Sequence, residues 1–288
     1  MNTFYIITNY QKDKNLEVTR QIREYLESHG KTCYIQQKDK MAALQNDYKF
    51  TNTEEISEDV ECVLVLGGDG TLIQSARDTV GSNIPILGFN LGTLGFLTEI
   101  EHENMYMALD KLMKDEFTLE SRMMLRGTLY HENRPVFSDV ALNDIVLNRS
   151  GSLRIVDYDI LVNEEPLYTC SADGIIISTP TGSTGYNLSA GGPIVSPSSA
   201  MILLTPICAH SLNSGSIVFS AEDKITVRLG QGRRNGQEEA EVTFDGAQSV
   251  RLVTGDYVEI TQAKETTKLV KISKKSFVEI IRKKMQFK

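Results

Sequence analysis

Residues 67 to 70 read Gly-Gly-Asp-Gly, directly after the apolar run 62–66 and before Thr71. Three glycines around one carboxylate let backbone N–H groups approach a ligand without intervening Cβ atoms. A phosphate fits such a turn, and Asp69 stands where it could take a proton, orient a hydroxyl or hold a metal. A second polar pair, Asn143-Asp144, interrupts the apolar stretch 140–147. An amide beside a carboxylate offers donors and acceptors to a base edge or to ribose hydroxyls; the same dipeptide is also ordinary turn chemistry. A third block spans residues 171–197, where Ile175-Ile176-Ile177 leads into a Gly/Ser/Thr loop carrying Thr181, Ser183, Thr184 and Tyr186. Its hydroxyls and amides suit sugar, phosphate and amide recognition. Tyr186 adds an aromatic face for a flat ring, and the prolines stiffen the loop.

The elements that must position these groups follow from hydrophobic period. Residues 4–7, 32–35, 62–66 and 84–89 read as strands; residues 15–28, a segment from Thr71, and residues 103–114 read as helices. This β-α-β rhythm predicts a doubly wound, mostly parallel sheet, whose ligands bind beyond the carboxyl ends of strands. Asp69 lies at such an end. Residues 37–59 are polar and aperiodic, which predicts a loop or poorly ordered insert. From residue 117 the pattern becomes short strands: 117–119, 126–130, 144–147, 155–162, 174–177, 225–229, 250–253 and 257–260. Helical period nearly vanishes, so the second domain is expected to be an all-β sandwich. Expected boundaries are an α/β domain over 1–116, a β domain over 117–262 and a C-terminal segment over 263–288. Residues 276–284 read as a helix with Phe277, Ile280 and Ile281 on one face.

Composition narrows the class. The chain has 288 residues, 41% apolar and 24% charged, enough for two domains with substantial cores. A net charge of −8 argues against generic nucleic-acid binding. Residues 261–288 are the exception, with nine Lys/Arg against two Glu: a solvated face, or a cationic wall toward a phosphate-rich ligand. No apolar run reaches the ~20 residues that span a bilayer, and the N-terminal run lacks signal-peptide features, so no membrane association and a cytoplasmic setting are expected. Cys33, Cys62, Cys170 and Cys208 are scattered and read as small hydrophobes rather than disulfide or metal ligands.

Gly67-Gly68-Asp69-Gly70, the run Asn90-Leu91-Gly92-Thr93-Leu94-Gly95-Phe96-Leu97, Asn143-Asp144, and Asp173-Gly174 followed by Thr179-Pro180-Thr181-Gly182-Ser183-Thr184-Gly185-Tyr186 together resemble the NAD kinase family in order and spacing. The resemblance covers essentially the whole chain. The glycine turn alone is shared with lipid kinases and, more loosely, phosphofructokinases; the 90–97 and 173–197 blocks make the resemblance specific. It implies transfer of a phosphate from ATP to the 2′-hydroxyl of the adenosine ribose of NAD, giving NADP. It also implies a divalent metal such as Mg²⁺, held mainly by the ATP phosphates, and a homodimer or homotetramer. The C-terminal segment is implied to pack back on the first domain.

By position, the resemblance makes Asp69 the proton acceptor and, with Gly70, part of the NAD pocket. Phe96 would lie near the nicotinamide or adenine end, and Asn143 and Asp144 would bind adenine or ribose. Asp173 would meet the nicotinamide carboxamide side across a subunit interface. Thr181, Thr184, Gly185, Tyr186, Asn187, Leu188 and Ser189 would hold the adenine and its ribose. Arg154 would lie near the phosphates, and Asp245 belongs to a late Asp-containing turn. Departures from the family pattern are Thr93 for Arg or His, Gly185 for Ala, Ser171 for Arg, Gly215-Ser216 for Arg-Pro, and a Gln displaced to Gln248. An ordinary Asp titrates near ~4, low for a base, so Asp69 could instead orient the hydroxyl or help bind metal. ATP, another nucleotide or polyphosphate stays open as donor. The rival readings are a diacylglycerol- or sphingosine-type lipid kinase, which has no use for the polar 173–191 loop, and a non-catalytic NAD(P)-binding sensor, which has no use for Asp69.

Overall fold

The computed structural model describes residues 1–36, 51, 53, 56–92, 95–151, 155–210, 215–231, 238–247, 249–273 and 275–285. The chain forms two compact units, Met1–Ser121 with Thr267–Lys288, and Arg122–Thr266. Most of the segment expected as a loop or insert, 37–59, lies outside the described residues.

The first unit alternates β1 (Thr3–Thr8), α1 (Glu17–Ser28), β2 (Thr32–Ile35), β3 (Cys62–Gly67), α2 (Asp69–Asp78), β4 (Ile86–Asn90), β5 (Ile100–Glu101) and α3 (Met105–Met113). The strands run parallel in the order β5-β4-β3-β1-β2. Parallel strands covered on both faces need continuous apolar runs, and every residue of β1, β3 and β4 is buried. The chain leaves β1 toward β2 on one side and returns to β3 on the other. The winding therefore switches between β1 and β3, and the crevice at their carboxyl ends is where such sheets take ligands. α1 buries Ile22 and Leu26, and the buried Asp13 carboxylate accepts from Val18 N (3.0 Å) and Thr19 N (2.9 Å), satisfying amides of its first turn. α2 begins two residues before the expected Thr71. Gly68 is its N-cap and Asp69 its first helical residue.

The second unit is built from β6 (Thr118–His131, entering from the first unit), β7 (Arg134–Ala141), β8 (Asp144–Arg149), β9 (Val156–Val162), β10 (Glu165–Ala172), β11 (Gly174–Ser178), α4 (Tyr186–Ser189), β12 (Met201–Ile207), β13 (Ile217–Ser220), β14 (Ile225–Leu229), β15 (Glu239–Phe244), β16 (Ser249–Val253) and β17 (Tyr257–Lys271). One antiparallel sheet has the order β13-β12-β11-β8-β15-β16; β10-β9-β14-β17 and the β6–β7 hairpin form the other layer. Ile145, Leu147, Ile175 and Ile177 from the first layer share a core with Tyr158, Ile160, Val227 and Val258 from the second, which is the sandwich the alternation predicts. Two segments read as separate strands, 117–119 and 126–130, are one long β6. Strands β7, β10, β12, β13 and β15 escape the pattern. Pro135, Pro166 and Pro206 interrupt three of them, and proline normally argues against a strand.

β17 carries the chain back into the first unit, where Leu269 pairs in parallel with Ile86. α5 (Phe277–Lys284) follows, started by a capping box between Ser276 and Glu279. Three of the basic residues serve this docking: Lys271 pairs with Glu99 (2.6 Å), and Lys275 (3.8 Å) and Lys283 (3.4 Å) share Glu101. Cys33, Cys62 and Cys170 are buried and Cys208 is exposed. Among the described residues no helix is long and apolar enough to cross a membrane.

Glu99 is the anchor of that segment. Its buried carboxylate also accepts from Ile272 N (2.8 Å), Ser273 N (3.2 Å) and Ser273 Oγ (3.0 Å). Burial pushes its carboxyl up, but the Lys271 ammonium and these amides outweigh burial and hold it below the ordinary carboxylate value. A depressed folded pKa contributes stability above the unfolded value of ~4.5, lost as pH falls through the folded value. Glu99→Gln leaves the half-buried Lys271 without its anion and should cost about 1.5–3 kcal/mol. Denaturant melts should show that deficit at pH 7 and a smaller one below pH 4.

Candidate active site

In the first unit the strand-to-helix turn aims the Asp69 carboxylate at segment 95–98. Oδ2 accepts from Phe96 N (2.6 Å); Oδ1 accepts from Leu97 N (3.1 Å), Thr98 N (3.0 Å) and Thr98 Oγ1 (3.0 Å). Each carboxylate oxygen offers about two lone pairs. Among the described residues Oδ1 is therefore saturated, while Oδ2 keeps one direction open. A Cβ on Gly95 would overlap Asp69 Oδ1, so glycine is required for this approach. Asn90 steadies the same loop: its Nδ2 donates to Thr98 Oγ1 (3.2 Å) and its Oδ1 accepts from Gly92 N (2.7 Å). Phe96 carries Lys284 Nζ over its ring, 4.8 Å from the centroid, a cation–π contact from α5. Gly70 is exposed beside Asp69.

In the second unit Asp245 holds the turn 142–144 by the same device. Its Oδ2 accepts from Leu142 N (2.7 Å), and its Oδ1 from Asn143 N (2.7 Å) and Asp144 N (3.0 Å). The loop after β11 is sewn to this turn. Thr179 N donates to the Asn143 carbonyl (2.8 Å), and Thr179 Oγ1 donates to the Leu142 carbonyl (2.6 Å) and accepts from Gly182 N (3.0 Å). Asn143 Oδ1 is buried and has no partner among the described residues, an acceptor awaiting a donor. Burial, and then the charge of Asp245, push the Asp144 carboxyl up to about 7, so near neutral pH it is as much a donor as an acceptor.

Around this turn stand the other expected residues. Thr181 is buried, and Arg122 Nη1 donates to its hydroxyl (3.5 Å). Thr184 Oγ1 donates to the Thr181 carbonyl (3.4 Å). Gly185 precedes α4, which presents Tyr186, 42% exposed, together with Leu188 and the exposed Ser189. Asp173 accepts from Arg149 Nε (2.7 Å), with both side chains partly exposed.

Two of the expected residues are engaged internally. Asn187 is fully buried: its Nδ2 donates to the Ser183 (3.1 Å) and Pro193 (3.0 Å) carbonyls, and its Oδ1 accepts from Thr205 Oγ1 (2.7 Å). It fastens the loop internally. Asp245 likewise spends its carboxylate on backbone amides and shapes the site through Asn143 and Asp144. Arg154, Thr93 and Gln248 lie outside the described residues. The sequence reading missed Arg149 and Asn90. Arg149 is brought to Asp173 by the β8–β11 pairing, in which Asn148 stands opposite Gly174, and no local motif announces that register.

Family models agree with this division. One described as the ATP-NAD kinase N-terminal domain matches residues 4–117, and one described as the ATP-NAD kinase C-terminal domain matches residues 142–272. The NAD kinase of Lachnoclostridium phytofermentans is 46% identical over 286 residues, 99% of either chain. That of Lachnospira eligens is 45% identical over 294 residues, 99% of this chain and 100% of its own. Yeast NADH kinase, solved with NADH, aligns at a TM-score of 0.85 and 25% identity over 100% of this chain and 88% of its own. An Archaeoglobus fulgidus NAD kinase solved with ATP aligns at 0.77 and 22% identity over 99% of each, a likeness of fold.

Two variants test the geometry. A carboxyl whose folded value is raised contributes stability below its unfolded value, lost as pH climbs through the folded one; for Asp144 that window runs from ~4 to about 7. Asp144→Asn removes the ionised form, so its melting temperature relative to wild type should be higher at pH 8 than at pH 5, by on the order of a few °C. Gly95→Ala should loosen the Asp69 contacts and cost about 1–3 kcal/mol, read from denaturant melts.

Proposed function

The chain belongs to the NAD kinase family, and we propose that it transfers the terminal phosphate of ATP to the 2′-hydroxyl of the adenosine ribose of NAD, giving NADP. The observation that carries the chemical reading is Asp69, clamped by four donors with one lone pair of Oδ2 left open among the described residues. In the transfer, the 2′-oxygen forms a bond to the γ-phosphorus as the bond from that phosphorus to the β,γ-bridging oxygen breaks. ADP leaves with the bond's electrons, and the hydroxyl proton passes to Asp69 Oδ2. The transition state is loose and asks for positioning more than for a strong base, so a carboxylate held rigidly serves by orienting the hydroxyl until the proton is released.

Recognition of the dinucleotide is assigned to the second unit. Asn143 Oδ1, buried and unpartnered among the described residues, suits the exocyclic amine of adenine. Asp144 and the Thr184 hydroxyl suit ring or ribose groups, and the exposed face of Tyr186 suits stacking. Asp173, oriented by Arg149, suits the nicotinamide carboxamide. Mg²⁺ is proposed as the metal, supplying neutralisation of charge on the ATP phosphates. Asp69, with one Oδ2 direction open among the described residues, could add one oxygen to an ion bound chiefly by phosphates. We further propose a homodimer or homotetramer working in the cytoplasm, where buried thiols such as Cys62 and Cys170 stay reduced.

Purified protein with NAD, ATP and Mg²⁺ should form NADP. Asp69→Asn should fold, by circular dichroism, yet lose on the order of 10²–10⁴ in turnover. Turnover near wild type in that variant would sink the assignment of Asp69.

A further inference from the structure

Helix α5 carries one lysine whose charge takes no part in the pairing with Glu101. Phe277, Ile280, Ile281 and Lys284 are spaced i, i+3, i+4 and i+7 and so share one face of the helix. All four are half-buried, whereas Val278, Glu279, Arg282 and Lys283 are exposed. Lys284 therefore stands on the face that α5 turns toward the rest of the first unit. Two devices place it there: the capping box between Ser276 and Glu279 sets where the helix starts, and Lys275 and Lys283 draw it to Glu101. The Lys284 ammonium makes no hydrogen bond or ion pair among the described residues. What it meets is the ring of Phe96, with Nζ 4.8 Å from the centroid.

Phe96 is the residue of its segment that most needs such a hold. Asp69 Oδ1 accepts from Leu97 N, Thr98 N and Thr98 Oγ1, but among the described residues Oδ2 accepts only from Phe96 N, at 2.6 Å. The residues that follow are fastened without α5. Thr98 is buried and its hydroxyl accepts from Asn90 Nδ2 (3.2 Å). Glu99 is tied to Lys271, Ile272 and Ser273. Phe96 has two polar attachments among the described residues, its N–H on Oδ2 and its ring under Lys284. A cation over a ring face is attracted by the quadrupole of the ring, so the ammonium restrains the ring, and the ring restrains the direction of the N–H. A lysine on a docked face can also serve by its stem alone, with the head reaching water; here the head lies on the ring instead.

We propose that Lys284 is a positioning residue for phosphoryl transfer, acting through the ring of Phe96 to hold the Phe96 N–H on the Asp69 oxygen that meets the 2′-hydroxyl; the inference rests on the NAD kinase reading. A transfer that depends on positioning is sensitive to small displacements of that oxygen. The C-terminal helix thereby contributes to the reaction without touching either substrate.

Steady-state NADP formation by the full chain, with NAD and ATP varied separately, tests this role. Lys284→Met keeps the apolar stem and removes the charge. It should lower kcat roughly three- to tenfold, leave both KM values within about twofold and keep the wild-type melting temperature. Lys284→Arg keeps a cation over the ring and should recover most of kcat. In a Phe96→Leu background, which lacks the ring, Lys284→Met should lower kcat no further. A wild-type kcat in Lys284→Met, an arginine variant as slow as the methionine one, or a loss undiminished in the Phe96→Leu background overturns the inference while the kinase reading stands. Should the wild type form no NADP, the kinase reading fails, and amide hydrogen exchange still decides: the Phe96 N–H should exchange faster in Lys284→Met, and equal exchange overturns the hold of Lys284 on it.

Discussion

A carboxylate that gathers three consecutive backbone amides is the constraint on which both functional turns depend. Asp69 takes the amides of Phe96, Leu97 and Thr98, and Asp245 takes those of Leu142, Asn143 and Asp144. In each case an irregular stretch, which has no ladder to satisfy its N–H groups, is fixed by one acidic side chain arriving from elsewhere in its unit. Such charge-assisted bonds are stronger than neutral ones, and unmatched amides in these partly buried turns would be costly. The clamp thus sets the path of the backbone, and the path sets where Phe96, Asn143 and Asp144 stand.

The first clamp is reinforced from the C-terminus. Segment 95–101 is held at one end by Asp69 and at the other by Glu99 and Glu101, whose partners are Lys271, Lys275 and Lys283. Lys284 adds its charge to the ring of Phe96. α5 has no fully buried residue, so its docking depends more on charge than on apolar area. Part of the basic terminal segment is thereby accounted for: Lys271, Lys275 and Lys283 answer glutamates of the first unit.

Much of this was legible in the residues. The buried runs of β1, β3 and β4 announce a parallel sheet because such strands are covered on both faces, and the glycine turn after β3 marks the ligand end. The loop after β11 reads as a candidate binding element from its composition alone. What could not be read is who holds whom. Asp69 and Phe96 are 27 residues apart, Asp245 and Asn143 about a hundred, and no local pattern reports such pairings. Asn187 sits among apparent ligand-binding residues yet is consumed by Thr205, Ser183 and Pro193, because a small polar side chain serves an internal bond and a ligand equally well. Strands β7, β10 and β12 were hidden by prolines that an edge or bulge position tolerates.

The second unit also shows why its core must be large. Asn143 Oδ1 is buried without a partner among the described residues and the Asp144 carboxyl is pushed up to about 7; both are costs that a free turn would relax away. They persist because Asp245, Thr179 and the β8–β11 pairing leave the turn no alternative, and because the sandwich beneath it contributes more than these groups subtract. A bound donor for Asn143 and a partner for Asp144 would remove both costs at once. The unliganded turn therefore offers a ligand with matching polar edges groups that are already oriented before binding.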